Sequence, residues 1–174
     1  MALVAFLRGV NVGGHKTFRP SLLAERLRRF GVTSVGAAGT FIVQNPGPAA
    51  QFRAALLRSL PVEAEIMLCT KGDLLRIGEG NPFGTEAASS DVVRFVSILA
   101  RAARPRSPLP AAFPADGDWR VRVVAAEGRY AFGMYRRHME TIRFLGQLDR
   151  LFSVPVTTRN WNTIQSVVRA LKEL

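Results

Sequence analysis

The chain has 174 residues, of which 48% are hydrophobic, so it can bury a sizeable core and its composition excludes a disordered protein. Its single cysteine, Cys69, excludes an internal disulfide, and the apolar residues before it favour a buried thiol in a reducing compartment. The N-terminal apolar run Met1–Leu7 is too short for a signal peptide or a membrane span. We therefore expect a cytoplasmic protein that does not bind membranes.

The formal net charge is +11, which is typical of proteins that bind nucleic acids. The basic residues are 21 arginines and only 3 lysines, and the arginines are scattered along the chain. The codon composition of a GC-rich genome produces the same excess of arginine over lysine. No stripe of basic residues interleaved with aromatics is visible, so the charge leaves both explanations open.

The first 70 residues predict the element order βαββαβ. The hydrophobic periodicity and the turn residues place these elements at Ala2–Leu7, Pro20–Phe30, Val32–Ala38, Thr40–Gln44, Gln51–Leu60 and Glu63–Thr70. This order is typical of a ferredoxin-like subdomain, in which both helices cover one face of an antiparallel sheet. The predicted fold class is therefore α+β.

Residues 71–174 predict a second, degenerate α+β half with C-terminal helices, which packs with the ferredoxin-like subdomain 1–70 as one compact unit. Arg104–Pro114 contains four prolines and predicts a crossing loop or a short helix broken by turns. In the hairpin that follows, Trp119, Val121 and Val123 alternate with Arg120 and Arg122, which predicts opposite faces for the two sets. The other expected elements are a helix Lys71–Gly78, a central strand Asp91–Ala100 that is apolar except for Arg94, a hairpin of Asp118–Ala125 and Arg129–Tyr135, a helix around His138–Phe152 and a last helix after Thr158 with a buried stripe of Ile164, Val167, Val168 and Leu171.

The first candidate site is the cluster Arg8-Gly9-Val10-Asn11-Val12-Gly13-Gly14, which follows the N-terminal strand. Gly13 and Gly14 can direct consecutive backbone amides toward an anion, and Arg8 offers a planar fork to a carboxylate or phosphate. The glycine spacing is not that of a dinucleotide-binding loop, and no Gly-Lys-Ser/Thr follows. A turn in which Asn11 bonds its own backbone and Arg8 pairs with a carboxylate fits the same residues.

The second candidate site is Thr157-Thr158-Arg159-Asn160-Trp161-Asn162-Thr163, near the predicted start of the last helix. Either Thr158 or Asn160 can cap that helix. Arg159 would then lie near the positive end of the helix dipole, which calls for a carboxylate of the fold or a bound anion nearby. Trp161 either packs in the core or stacks on a base or sugar at the rim of a site.

We predict that both clusters converge on one site for an anionic small molecule, phosphorylated or nucleotide-like. Arg8 and Arg159 would clamp its charge, the glycine amides would bind it, and the asparagines would orient it. The predicted ligand-binding residues are Arg8, Asn11, Gly13, Gly14, Thr158, Arg159, Asn160, Trp161 and Asn162.

Residues suited to catalysis are few. The chain has no Cys/His metal spacing, no His-Glu-x-x-His helix and no Gly-x-Ser-x-Gly elbow, so we expect no metal and no cofactor and assign no catalytic residue. Two alternatives stay open: an enzyme of phosphoryl or nucleotide chemistry that uses no metal, and a nucleic-acid-binding module. A sheet that binds nucleic acid would carry paired aromatics among basic residues on its exposed face.

Three motifs carry a resemblance to a known family: Leu7–Gly14, Asn81-Pro82-Phe83 and Thr158–Thr163. Together they resemble an uncharacterised, mainly bacterial family known as domain of unknown function 1697. The resemblance implies a compact α+β protein with ferredoxin-like subdomains and carries no established activity. This chain departs from the pattern at Ala38-Gly39-Thr40, where relatives tend to carry Ser-Gly-Asn, and at Met134–His138, where they tend to carry a Gly-Arg-Ser-Lys-like stretch. If those residues belong to a family site, its function here is altered.

Overall fold

The computed structural model describes residues 1–10, 18–85 and 89–174. The predicted site residues Asn11, Gly13 and Gly14 lie outside the described residues. The described chain forms two compact units, Met1–Glu79 with Thr163–Leu174, and Gly80–Asn162. None of its helices is both long enough and apolar enough to cross a membrane.

The first unit is built on a four-stranded antiparallel sheet with the strand order β2-β3-β1-β4. Its elements follow the order βαββαβ and then add one helix. They are β1 (Leu3–Arg8), α1 (Pro20–Arg26), a 3₁₀ turn (Arg28–Phe30), β2 (Val32–Val35), β3 (Thr40–Val43), α2 (Ala49–Ser59), β4 (Glu65–Thr70) and α3 (Lys71–Glu79).

Alternate residues of the central strand β1 divide between the two faces of this sheet. Ala5 and Leu7 join a buried cluster with residues of both α1 and α2, so both helices contribute to one core. The buried members from these two helices are Leu23, Phe52, Ala55 and Leu56. Both helices therefore lie on the same side of the sheet.

The last helix, α6 (Trp161–Lys172), packs its C-terminal part against α3 in the first unit. Gly78 of α3 approaches Val168 so closely that a Cβ there would overlap the valine side chain. The side-chain amide of Gln165 donates to the Gly78 carbonyl at 3.4 Å. The predicted apolar stripe of this helix is confirmed as buried, and consists of Ile164, Val167, Val168 and Leu171.

The second unit is built on a five-stranded antiparallel sheet with the strand order β6-β7-β8-β5-β9. The predicted α+β class of the whole chain is therefore confirmed. The elements of this unit are β5 (Val92–Leu99), β6 (Ala111–Phe113), β7 (Val121–Glu127), β8 (Tyr130–Arg136), α4 (Thr141–Leu145), α5 (Leu148–Phe152) and β9 (Val156–Asn160).

Strand β5 divides its side chains between two different environments. Phe95 and Leu99 belong to a core cluster with α4 and α5, which include Phe144 and Leu148. Arg94 alternates with these residues and so lies on the opposite face of the sheet. One face of the second sheet is therefore covered by helices, and the other carries Arg94, the one charged residue of β5.

Three local expectations differ from the structure. The helix expected around His138–Phe152 is two short helices with Gly146 between them, because glycine is a weak helix former. The proline-rich segment Arg104–Pro114 contains a short strand, Ala111–Phe113, at the sheet edge, where flanking prolines are tolerated. The third difference concerns the start of the last helix: Thr157–Asn160 is part of strand β9, because the β-branched threonines pair with β5.

Gly133 of β8 provides a test of how tightly the second sheet is packed. A Cβ at this position would overlap the carbonyl oxygen of Arg122 and the ring of Phe95. We expect Gly133→Ala to destabilise the protein by about 1–3 kcal/mol, as overpacking of cores does, and to lower the thermal unfolding midpoint. The control is Gly72→Ala in α3, where the nearest atom to an added Cβ is 3.9 Å away and no loss of stability is expected. Equal midpoints for the two variants would contradict this packing.

Candidate functional site

Arg8, the first predicted site residue, ends strand β1 and lies directly opposite Glu65 of β4. The Arg8 Nη1 and Glu65 Oε1 atoms are 3.9 Å apart, and the two side chains are 33% and 53% exposed. This pairing is the alternative that the sequence left open for Arg8. An exposed pair of this kind contributes at most about 1 kcal/mol to the stability of the fold.

A cavity of about 790 Å³ adjoins Arg8 in the first unit. Its described lining includes Arg8 and Gly9, together with the carboxylates of Glu63 and Glu65 and several apolar side chains. Two carboxylates outnumber the one guanidinium in this lining. The charges that the structure describes here therefore do not favour an anion.

Arg159, the second predicted arginine, lies in strand β9 and is only 6% exposed. Its Nη1 donates to the Thr157 hydroxyl at 2.8 Å and to the Thr158 carbonyl at 2.9 Å. Burial lowers the pKa of Arg159 to about 10, which still leaves the guanidinium charged at neutral pH. Arg159 belongs to the strand and lies two residues before the last helix, which begins at Trp161 directly after Asn160.

Thr158 points to the other face of β9. Its hydroxyl lies 2.7 Å from the hydroxyl of Ser97, its partner on β5, and Ser97 is fully buried. This hydrogen bond satisfies two polar groups within the sheet. Thr158 therefore has a structural contact, and capping of the last helix is not its role.

The junction between β9 and α6 brings the remaining predicted residues together. A cavity of about 310 Å³ in the second unit is lined by Asn160, Trp161 and Asn162, and also by Arg94 and Arg137. The described lining is completed by two serines and two valines, Ser89, Ser90, Val92 and Val93. Three consecutive predicted residues thus share one cavity with two guanidinium groups.

Aromatic contacts hold one side of this cavity. The rings of Trp161 and Phe83 meet edge to face with their centroids 5.1 Å apart, and the Arg94 guanidinium carbon lies 5.2 Å from the centre of the Phe83 ring. Asn81 fixes the turn that carries Phe83, since its side-chain amide donates to the Gly84 carbonyl at 3.0 Å. The Asn81-Pro82-Phe83 motif therefore supports Arg94 and Trp161.

Arg137 also lines this cavity, and its side chain is exposed. The Arg137 backbone N–H donates to the Asp91 carbonyl at 3.0 Å, which fixes the chain at the end of β8. The Ser89 hydroxyl lies 2.7 Å from Asp91 Oδ1, and this hydrogen bond, with smaller contributions from the Asp91 backbone and Arg136, lowers the pKa of Asp91. Asp91 is therefore a carboxylate at neutral pH and is held by Ser89.

Arg94 and Arg137 were not among the predicted site residues. A signal for Arg94 existed, because it is the one charged residue between Val92 and Leu99. Arg137 gave no comparable signal, since it follows Arg136 in a polar stretch that resembles any solvated loop. Its place in the cavity depends on the pairing of β8 with β5, which the sequence does not specify.

Arg159→Ala tests the buried role of this arginine. The substitution leaves a cavity and removes the donor to Thr157 and Thr158, so we expect a loss of about 2–4 kcal/mol in the free energy of unfolding. The measurement is chemical denaturation, with Arg101→Ala in an exposed loop as the matched control. If Arg159→Ala unfolds at the same denaturant concentration as Arg101→Ala, the guanidinium does not support the sheet.

Comparison with known families gives a match over residues 1–116 to the family described as "Protein of unknown function (DUF1697)". This range includes the first motif, the Asn81-Pro82-Phe83 turn and Arg94, and it ends before β9. No curated protein and no solved structure is significantly similar to the chain. Because the match covers well over half of its length, the chain belongs to the DUF1697 family of proteins of unknown function.

Proposed function

We propose that this protein binds an anionic small molecule, phosphorylated or nucleotide-like, in the cavity at the β9–α6 junction. The observation that carries the proposal is the lining of this cavity, where Asn160, Trp161 and Asn162 share one space of about 310 Å³ with two guanidinium groups. A volume of this size fits a small ligand.

The two arginines supply the charge that an anion requires. A guanidinium donates two parallel hydrogen bonds to a carboxylate or phosphate, and these charge-assisted bonds are about twice as strong as neutral ones. Arg94 is held against Phe83 and is half-buried, whereas Arg137 is exposed and can adjust to the ligand. One fixed and one adjustable cation in the cavity lining suit a ligand that enters from solvent.

The start of α6 adds a second attraction for an anion. Trp161 and Asn162 are the first residues of this 12-residue helix and line the cavity. The backbone N–H groups of a first helical turn have no partner within the helix, and the helix dipole places positive charge there. The side-chain amides of Asn160 and Asn162 then supply neutral donors and acceptors that orient the ligand.

The N-terminal cluster remains the predicted second part of this site. Arg8, Asn11, Gly13 and Gly14 would contribute a third guanidinium and backbone amides. Arg8 and Arg159 belong to different units, and their joint clamp on one ligand remains a prediction. Arg159 supports the proposal indirectly, because its bonds to Thr157 and Thr158 hold the strand that ends at Asn160.

Binding of simple anions tests the proposal. We expect inorganic phosphate or adenosine monophosphate, but not adenosine, to raise the thermal unfolding midpoint, because a ligand of the folded state stabilises it by mass action. Arg137→Gln removes a charge-assisted bond worth about 1.5–3 kcal/mol, so we expect calorimetry to show a Kd about 10- to 150-fold higher.

Arg101→Gln is the matched control, since it removes the same charge from an exposed loop of the same unit. We expect it to change Kd less than twofold. The proposal fails if none of the anions stabilises the wild-type protein, or if both arginine variants weaken binding equally.

A further inference from the structure

Four arginines on or next to β5, β7 and β8 lie on one face of the second sheet. Arg94 on β5 and Arg122 on β7 are both paired with Met134 of the intervening strand β8. Residues directly opposite each other in an antiparallel sheet point to the same side, so these two arginines share a face. Arg136 is two residues along β8 from Met134 and lies on this face as well.

Arg120 completes the set. The Arg136 N–H donates to the Arg120 carbonyl at 2.8 Å, which continues the β7–β8 register by one pair. We call Arg94, Arg120, Arg122 and Arg136 the arginine face. Neighbouring strands are about 4.8 Å apart, so the sheet spaces these arginines regularly over three strands.

Aromatic rings orient three of the four guanidiniums. The guanidinium carbons of Arg122 and Arg136 lie 4.7 and 4.3 Å from the centre of the Trp119 ring. Strand alternation predicts that Trp119 lies on the opposite face from Arg122. The strand β7 begins only at Val121, so this alternation does not apply to Trp119. Arg94 is held in the same way over Phe83. These contacts hold the guanidiniums in place, and phosphate oxygens accept bidentate bonds from a guanidinium in its own plane.

Two of these arginines bring like charges together on adjacent strands. Arg120 and Arg136 are directly opposite each other, which is unfavourable for like charges. The carboxylate of Asp118 lies 3.9 Å from Arg136, but its side chain is 85% exposed, so the pair is screened by water. An anion that binds at this face offsets the repulsion between Arg120 and Arg136.

We propose that the arginine face binds the sugar-phosphate backbone of a single-stranded nucleic acid. A row of guanidiniums over three strands matches a ligand with several phosphates in a row better than a ligand with one. A single strand is flexible and follows a sheet surface, whereas a duplex is stiff over many base pairs. The combination of aromatic residues with basic ones on a sheet is the arrangement that single-strand-binding surfaces use.

The test measures binding of fluorescently labelled 12-nucleotide single-stranded RNA and DNA by anisotropy over a range of salt concentrations. Contacts with four phosphates predict a slope of about −3 for the logarithm of the association constant against the logarithm of salt concentration. The double variant Arg120→Gln with Arg122→Gln removes two contacts, so we expect this slope to fall to about half and Kd at 0.1 M salt to rise at least tenfold.

The matched control is the double variant Arg101→Gln with Arg104→Gln, which loses the same charge from an exposed loop of the same unit. We expect it to keep the salt slope and to change Kd less than twofold. The proposal is overturned if the wild-type protein does not bind the single strands, if a duplex or an acidic peptide binds more tightly than they do, or if the two double variants weaken binding equally.

Trp119 fluorescence gives a second measurement that does not depend on the folding of the double variant. The chain has two tryptophans, so Trp161→Phe leaves Trp119 as the single reporter. Binding of a single strand at the arginine face should quench this fluorescence at the same concentrations that raise the anisotropy. Binding without any change in Trp119 emission would contradict the proposal.

The two proposals fail independently. Arg120 and Arg122 do not line the small-anion cavity in the part of the chain that the structure describes, whereas Arg137 does. Loss of phosphate binding in Arg137→Gln therefore tests the cavity alone. Loss of oligonucleotide binding in the Arg120/Arg122 double variant tests the arginine face alone.

Discussion

The pairing of β5 with β8 determines which face of the second sheet each side chain occupies. Phe95 is paired with Gly133, and the absence of a side chain at Gly133 leaves room for the Phe95 ring. A slip of one residue would move every side chain of β5 to the other face. Phe95 would then leave the core with α4 and α5, and Arg94 would enter it. The close contact at Gly133 thus fixes both the core and the position of the charged residues.

The change of periodicity at the β9–α6 junction explains why adjacent residues have different roles. Within β9, alternation directs Arg159 into the protein and Thr158 toward Ser97. The strand ends at Asn160 and the helix begins at Trp161, so the next side chains follow a helical repeat instead. Asn160, Trp161 and Asn162 can therefore line one cavity, although Arg159 beside them is buried.

Hydrophobic periodicity in the sequence predicts the long elements well, because burial of an apolar face decides them. The stripe from Ile164 to Leu171 and the hairpin of β7 and β8 belong to this group. The sequence could not decide the structure at Thr157–Asn160, since threonines before a helix fit both a cap and a strand. It also could not place Arg94 beside Arg137. These two residues are 43 positions apart in sequence and meet only through the pairing of β5 with β8.

The central claim is that the cavity at the β9–α6 junction binds an anion. A nuclear magnetic resonance titration with inorganic phosphate tests this claim most directly. Our account predicts that the indole N–H signal of Trp161 and the side-chain amide signals of Asn160 and Asn162 shift together and saturate at one phosphate concentration. The indole signal of Trp119, which lies on the arginine face, should shift less at that concentration. If the Trp161, Asn160 and Asn162 signals stay unchanged while signals elsewhere saturate, the cavity is not the anion site.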